Sequence, residues 1–157
     1  MSDRSDVIEV LSRYVRAADH RDPVAMAALF LPDAVVEIFH GIGGALTKLG
    51  ELAGAETIGG AVRNMMAPHP ARGWSHHTTF DHIVTINGDD ASIDAQFIVY
   101  NTVGHRLPDA GWPAGVNGAQ GSITPVESGY YRPVLGRVDG SWRIAHHVIV
   151  HDLPMAF

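Results

Sequence analysis

The second half of the chain constrains the fold most, because almost all of it reads as long β-strands. Four runs carry apolar or β-branched side chains at alternating positions: residues 75–87, 91–103, 123–138 and 141–152. Two of the three junctions are tight-turn sequences, Asn87-Gly88-Asp89 and Asp139-Gly140, whose residues tolerate positive φ. The strands that flank these turns are therefore expected to be antiparallel neighbours.

The pattern of apolar residues near the start of the chain is typical of helices. Apolar side chains recur at helical spacing over residues 8–18, which predicts a first helix with one apolar stripe. Asp22 followed by Pro23 is typical of a helix start and predicts a short second helix that includes Phe30 and ends at Pro32.

The segment between these helices and the long strands predicts a short strand at residues 35–39, a Gly-rich turn at 40–44 and a third helix at 53–66. Helices followed by a strand meander are typical of α+β domains. Long strands twist, so the sheet should curl around the helices and leave a cavity at its open end. We expect one α+β domain over residues 1–157, cone-shaped, with the N-terminal helices packed in the concave face of a long, strongly curved antiparallel sheet.

Composition argues against several classes of partner. The 157 residues carry 17 acidic and 11 basic side chains, a formal charge of −6, without a Lys/Arg cluster, so no nucleic-acid partner is expected. No run approaches the roughly 18 apolar residues of a membrane span, and the charged start MSDRSDVIEV is unlike a signal peptide. We therefore expect a cytoplasmic protein with no membrane partner. Cysteine is absent, which removes thiolate and disulfide chemistry.

The first helix contains a carboxylate in an unexpected place. Asp19 lies four residues after Val15 and eight after Leu11, so it points along the apolar stripe, and Tyr14 lies at the margin of that stripe. A carboxylate aimed at a core costs several kcal/mol unless it is paired, so Asp19 predicts a partner. The alternative is an Asp19 that faces solvent or is satisfied by Arg21 or a turn amide.

Two adjacent histidines, His76 and His77, lie in the first long strand. Side chains alternate along a strand, so one of the two must face inward. Thr79 and Asp81 share the side of His77, which predicts a polar patch in an otherwise apolar cavity. A buried histidine bonded to a backbone carbonyl is the structural alternative.

The next strand alternates more clearly. Phe97 and Val99 lie on its apolar face, and the same parity turns Asn101 inward, where its amide would orient a substrate oxygen or bind loop backbone. The loop at residues 104–122, rich in glycine and proline, contains Trp112 and is long enough to be a lid.

The last strand has a second histidine pair. Strict alternation puts Trp142, Ile144, Val148 and Val150 on one face and Arg143, Ala145, Ile149 and His151 on the other. His146 and His147 then lie on opposite faces, and periodicity does not say which of the two is inside.

These features together resemble a known family. The run RYVRAADHRDPVAMAALFLPDAVVEI, the histidine strand and the run DGSWRIAHHVIVHD are similar to SnoaL-like proteins of the nuclear transport factor 2-like superfamily. The group includes polyketide cyclases, scytalone dehydratase, bile-acid dehydratase and hexachlorocyclohexane dehydrochlorinase. The resemblance covers most of the chain as a single SnoaL-like domain and is poorest at residues 41–72 and 104–122.

The resemblance implies roles for particular residues. Asp19 and His77 match an aspartate and histidine that act as a catalytic pair in several members, and Tyr14 resembles the pocket tyrosine of the dehydratases. His147 stands where relatives often have arginine. Members of this kind need no cofactor or metal, so none is expected. The expected substrate contacts are Asn101, His147, Phe97, Val99, Trp112 and Ile149.

The expected function is a lyase that eliminates water from an apolar, aromatic or polycyclic small molecule, with His77 as base and Asp19 orienting it. An isomerase or polyketide cyclase would use the same pair, and a carbon–carbon lyase releasing a small aldehyde is chemically compatible. A non-catalytic ligand-binding or assembly module is the alternative outside enzymes. The apolar outer face of the sheet, with Ile98 and Tyr100, predicts a homodimer or homotrimer.

Overall fold

The computed structural model describes residues 3–42 and 44–156, without the side chain of Ile42. Three helices and six strands follow one another along the chain: α1 (Asp3–Asp19), α2 (Pro23–Ala27), β1 (Phe30–Ile42), β2 (Ala45–Ala53), α3 (Ala55–Asn64), β3 (Gly73–Asn87), β4 (Asp90–Gly104), β5 (Gly121–Val138) and β6 (Ser141–His151). The α+β class is confirmed. Within the described ranges no helix is both long and apolar enough to cross a membrane.

The six strands form one sheet in the order β2-β1-β6-β5-β4-β3. The two predicted hairpins are confirmed, since β3 pairs with β4 across Gly88 and β5 pairs with β6 across Asp139 and Gly140, all three with positive φ. One pairing differs from the expected wholly antiparallel sheet, because β1 and β6 are parallel. The chain crosses from the edge strand β2 to the opposite edge strand β3, and the returning meander brings β6 beside β1 in the same direction.

The sequence interpretation was wrong at several boundaries in the first half. Asp22 caps α2 as predicted, accepting the amides of Val24 and Ala25 at 3.0 and 2.9 Å, but the helix ends at Ala27. Phe30 begins β1, which continues well beyond the predicted 35–39. Pro32 is tolerated there because the pairing of β1 with β6 is irregular between residues 30 and 35, so no ladder hydrogen bond is lost.

Strand β2 was not predicted at all. It is an edge strand whose side chains are largely exposed, so it lacks the apolar alternation that marks a half-buried strand. Charged side chains replace that pattern, and Lys48 donates to Glu37 of β1 at 2.7 Å. Part of the predicted turn at 40–44 is strand, and its residue 43 lies outside the described residues.

The core lies between α1 and the concave face of the sheet. Val7, Leu11, Val15 and Ala18 are buried along one side of α1, which confirms the predicted apolar stripe. The largest fully buried side chains opposite this stripe include Phe97, Leu135, Ile144 and His147. Burial of this stripe holds the C-terminal end of α1, and with it Asp19, against β3.

Candidate active site

A cavity of about 560 Å³ opens between the helices and the concave face of the sheet. Its wall is mainly apolar, with the side chains of Ile38, Ile58, Val62, Val99 and Ile149 among those that line it. The polar side chains on the wall include Tyr14, Arg21, Ser75, His77, Asn101 and Glu127. An apolar cavity with a few converging polar groups is the usual form of a small-molecule site.

Asp19 and His77 form a buried pair at this cavity. The Asp19 side chain is 4% exposed and that of His77 7%. Asp19 Oδ1 accepts hydrogen bonds from the His77 backbone amide at 3.0 Å and from His77 Nδ1 at 2.6 Å. Because Nδ1 donates its proton to the carboxylate, Nε2 carries the ring's lone pair. His77 is therefore the partner that the sequence required for Asp19, and its ring also lines the cavity.

Other contacts fix the end of α1 against β3. His69 Nδ1 accepts the Ser75 amide at 3.0 Å, so its Nε2–H donates to the Asp19 carbonyl at 2.8 Å. The His69 ring also stacks on Trp74 at 3.9 Å between centroids. His76, which precedes His77 in β3, is half exposed, and its Nδ1 lies 4.0 Å from Asp19 Oδ2. Asp19 is thus held from both its backbone and its side chain.

A β-bulge changes the predicted polar patch on β3. His77 faces inward, but the pairing with β4 shifts between Phe80 and Ile83, where Asp81 has a φ of 52°. Asp81 is therefore exposed, and it accepts a hydrogen bond from the Gln96 amide at 3.3 Å. The prediction that Asp81 shares the face of His77 was wrong because a bulge breaks strict alternation.

Strand β4 follows its predicted parity and places Val99 and Asn101 on the cavity wall. Ser75 Oγ donates to Asn101 Oδ1 at 2.7 Å, which fixes the amide and leaves its Nδ2–H₂ free to donate to a bound molecule. Phe97, expected to contact substrate, does not line the cavity. It is 1% exposed and stacks on Tyr131 at 4.1 Å, in the core beneath the cavity.

Two tyrosines form the floor of the cavity. Tyr14 on α1 and Tyr131 on β5 meet edge to face, with ring centroids 5.4 Å apart. Burial raises the pKa of both hydroxyls above their ordinary value, so both remain hydrogen-bond donors at neutral pH. Tyr14 is thus buried, in agreement with its place at the margin of the apolar stripe of α1.

A second bulge decides which histidine of β6 is inside. The pairing with β5 shifts at Ala145, so Trp142 and Ile144 share the inner face with His147, Ile149 and His151. The strict alternation assumed for this strand was therefore wrong. His146 faces outward and pairs with Glu37 at 2.7 Å.

His147, an expected substrate contact, does not line the cavity. It is fully buried between Tyr14 and Tyr131, with ring centroids 5.0 and 5.3 Å away. Neither ring nitrogen has a hydrogen-bond partner within residues 3–42 and 44–156. Burial lowers the pKa of His147 to about 3, so the ring is neutral at physiological pH.

The long loop is not the lid that the sequence suggested. Strands β4 and β5 remain paired out to Gly104 and Gly121, which carries the loop beyond Asn101, the last cavity residue of β4. Trp112 is 40% exposed and does not line the cavity. The cavity is lined instead by residues 61–62 of α3, by residues 65–68 after that helix, and by Met155.

Sequence reasoning missed several polar groups of the wall. Glu127 and His151 face the cavity because of bulges, which have no simple sequence signal. Arg21 follows α1 with a φ of 52° and donates to the carbonyls of Ala18 and Ala67 at 2.6 and 2.7 Å. Among the described residues, no group of three or more His, Asp or Glu side chains is placed to hold a metal ion.

The SnoaL-like domain profile matches residues 1–148. The chain therefore belongs to the SnoaL-like family. No curated protein matches it. The match ends before Ile149 and His151, so these two cavity residues lie outside the matched region.

Solved structures share the fold of this SnoaL-like protein at low identity. A protein of unknown function with a cystatin-like fold from Nostoc punctiforme is 18% identical, with a TM-score of 0.70 over 98% of this chain and 93% of the other. A candidate dehydratase of the NTF2-like family from Streptomyces avermitilis is 16% identical, with a TM-score of 0.64 over 97% of each chain. The β subunit of a candidate aromatic-ring-hydroxylating dioxygenase from Novosphingobium aromaticivorans is 14% identical, with a TM-score of 0.68 over 98% of this chain and 91% of the other. At these identities, the similarity establishes the NTF2-like fold.

Proposed function

We propose that this SnoaL-like protein is a cofactor-independent lyase of the dehydratase type that acts on an apolar, ring-bearing small molecule. The observation that carries the proposal is the buried pair of Asp19 and His77, joined at 2.6 Å on the wall of a cavity of about 560 Å³. A buried carboxylate bound to one nitrogen of a histidine leaves the other nitrogen oriented as a base.

In the proposed reaction, His77 Nε2 removes a proton from a carbon atom of the substrate. Asp19 holds the ring in the Nδ1–H tautomer and stabilises the imidazolium that forms. The electron pair of the C–H bond becomes the new double bond, the adjacent C–O bond breaks, and the hydroxyl group leaves as water with the proton returned by the His77 imidazolium, which regenerates the base. The apolar wall excludes bulk water, which strengthens these electrostatic interactions.

Two donors are available to the developing charge on oxygen. The Tyr14 hydroxyl stays protonated because burial raises its pKa, and Asn101 offers an amide whose orientation is fixed by Ser75. Pre-oriented donors of this kind stabilise an enolate or a departing oxygen without reorganisation during the reaction.

The cavity argues for an enzyme over a purely structural assembly module. A domain that serves only as an assembly surface has no need for an open cavity of this volume, and filling it would improve packing. An isomerase or cyclase would share the first proton transfer at His77 and would differ in whether a leaving group departs.

The test is turnover of β-hydroxy carbonyl and hydroxylated aromatic substrates, followed by absorbance of the conjugated product. For any substrate that turns over, His77→Gln and Asp19→Asn should each lower kcat by about 100-fold or more, the usual range for loss of a general base. The matched control is His146→Gln, which removes a histidine that also pairs with a carboxylate at 2.7 Å but on the outer face. Full activity of His77→Gln, with an unchanged melting temperature, would refute the assignment of the base.

A further inference from the structure

A second histidine and carboxylate lie together on the cavity wall. His151 Nδ1 is 3.9 Å from Glu127 Oε2, and both residues line the same cavity as His77. The His151 side chain is 11% exposed, and its Nδ1 is buried without a hydrogen bond to the described part of the chain. The proposed proton abstraction by His77 does not use this pair.

The fold has specific features that place the pair. The pairing of β4 with β5 shifts at Val126, which sets Glu127 opposite Val99 on the inner face. His151 lies opposite Gly129, and a Cβ at that position would come within 1.9 Å of the Val150 carbonyl and 2.9 Å of the Phe97 ring. The glycine therefore leaves room for the Val150 carbonyl and the Phe97 ring, and the His151 ring lies perpendicular to that Phe97 ring at 5.8 Å between centroids.

The geometry determines which ring nitrogen faces a ligand. The nearby carboxylate favours the tautomer with the proton on Nδ1, directed at Glu127, and a shift of about 1 Å would complete that hydrogen bond. Nε2 is then the nitrogen available to a molecule in the cavity, and it carries a lone pair. Burial lowers the pKa of His151, which keeps this lone pair free at neutral pH.

The other charged or titratable groups near His151 do not replace Glu127 as the partner of its ring. Asp152 accepts a hydrogen bond from the Ser128 hydroxyl at 2.7 Å, and His40 and His77 oppose protonation of His151. The pair thus presents a hydrogen-bond acceptor to the cavity, in contrast to the donors Tyr14 and Asn101.

We propose that His151, oriented by Glu127, is a subsite that accepts a hydrogen bond from a phenolic or enolic hydroxyl group of the substrate. The proposal rests on the function proposed above and defines the substrate class more closely. The Tyr131 ring, which stacks on Phe97, lines the same cavity and supplies an aromatic surface there. An aromatic hydroxyl is a stronger donor than an alcohol, so it suits a neutral imidazole acceptor.

The register also sets a minimum size for the substrate. His77 lies on β3 and His151 on β6, three strand spacings away, which is roughly 14 Å between backbones along the sheet. The two side chains shorten this gap by reaching into the cavity. A molecule that reaches both must span the space left between the two rings, with the reacting carbon at one end and the hydroxyl group at the other.

The test compares two fluorescent probes that differ only in the donor, 2-naphthol and 2-methoxynaphthalene, by equilibrium titration. The wild-type protein should bind 2-naphthol about three- to tenfold more tightly, the value of one neutral hydrogen bond. His151→Phe should abolish this preference and leave the affinity for 2-methoxynaphthalene within about twofold. Glu127→Gln, at a residue whose side chain is 32% exposed, should reduce the preference and provides a second variant if the first fails to fold.

His77→Gln serves as the control, because His77 also lines the cavity and its Nε2 also carries an imidazole lone pair. It should keep the preference for 2-naphthol. A preference that survives His151→Phe, or that disappears in His77→Gln instead, would overturn the subsite. Probe binding needs no turnover, so its result is independent of the kinetic test of His77.

Discussion

The fully buried His147 should make the stability of this protein depend on pH below neutrality. Its ring lies between two tyrosines without a hydrogen bond from the described residues, and its pKa falls from an ordinary 6.5 to about 3. The unfolded chain binds a proton to this ring below pH 6.5, while the folded chain does not until about pH 3. The stability that comes from keeping His147 neutral is therefore fully present above pH 6.5 and is lost as the pH falls from 6.5 towards 3.

The size of the effect follows from the two pKa values. At pH 5, protonation of the His147 ring shifts the folding equilibrium towards the unfolded chain by a factor of about 30, which is about 2 kcal/mol of unfolding free energy. At pH 7.5 the same protonation changes the unfolding free energy by less than about 0.1 kcal/mol. Burial of His151 lowers its pKa as well and adds a loss of the same sign. The contribution of His147 must therefore be obtained as a difference between variants.

The assay is urea unfolding of the wild type and His147→Leu at pH 7.5 and pH 5. Leucine has a similar volume and does not titrate. Between pH 7.5 and pH 5, the free energy of unfolding of the variant should therefore fall by about 2 kcal/mol less than that of the wild type. A change in packing shifts both of its unfolding curves and cancels in the comparison. His105→Gln, at an exposed loop histidine, should keep the full wild-type loss. An equal pH dependence in the wild type and His147→Leu would refute the idea that a neutral, buried His147 controls it.

Two further predictions concern packing and assembly. Gly129→Ala should lower the free energy of unfolding in urea by about 1–3 kcal/mol, because its Cβ would overlap the Val150 carbonyl. Gly50 has open space around it, so Gly50→Ala should change the unfolding free energy by less than about 0.5 kcal/mol. Equal effects of the two substitutions would contradict the close approach at Gly129. The exposed Tyr130 and Val134 on the outer face support a proposed homodimer or homotrimer, and a monomer in light scattering at micromolar concentration would contradict it.

Periodicity alone predicted several features that place the site. Helical spacing set Asp19 on the apolar stripe of α1, and strand alternation turned Val99 and Asn101 inward. The turns at Gly88 and Gly140 were predictable because their dipeptides favour positive φ. These features depend on backbone preferences and side-chain spacing over a few residues, which are local properties.

Other parts of the site depend on contacts between distant segments. Nothing in the sequence near Asp81, Val126 or Ala145 marks a bulge, since a bulge forms where two paired strands must bend together. Each bulge reverses the facing of the residues that follow it, so local alternation assigned Asp81 to the wrong face and did not decide whether His151 faces inward.

The sequence by itself determined the α+β class, the hairpins and a first-helix carboxylate in need of a partner. Tertiary structure decided that the partner is His77, that β1 runs parallel to β6, and that His147 is buried below the cavity while His151 lines it. The physical reason is that facing and pairing in a curved sheet are set by neighbouring strands. Some of those strands lie more than a hundred residues away along the chain, as β1 and β6 do, which is beyond the reach of any local pattern.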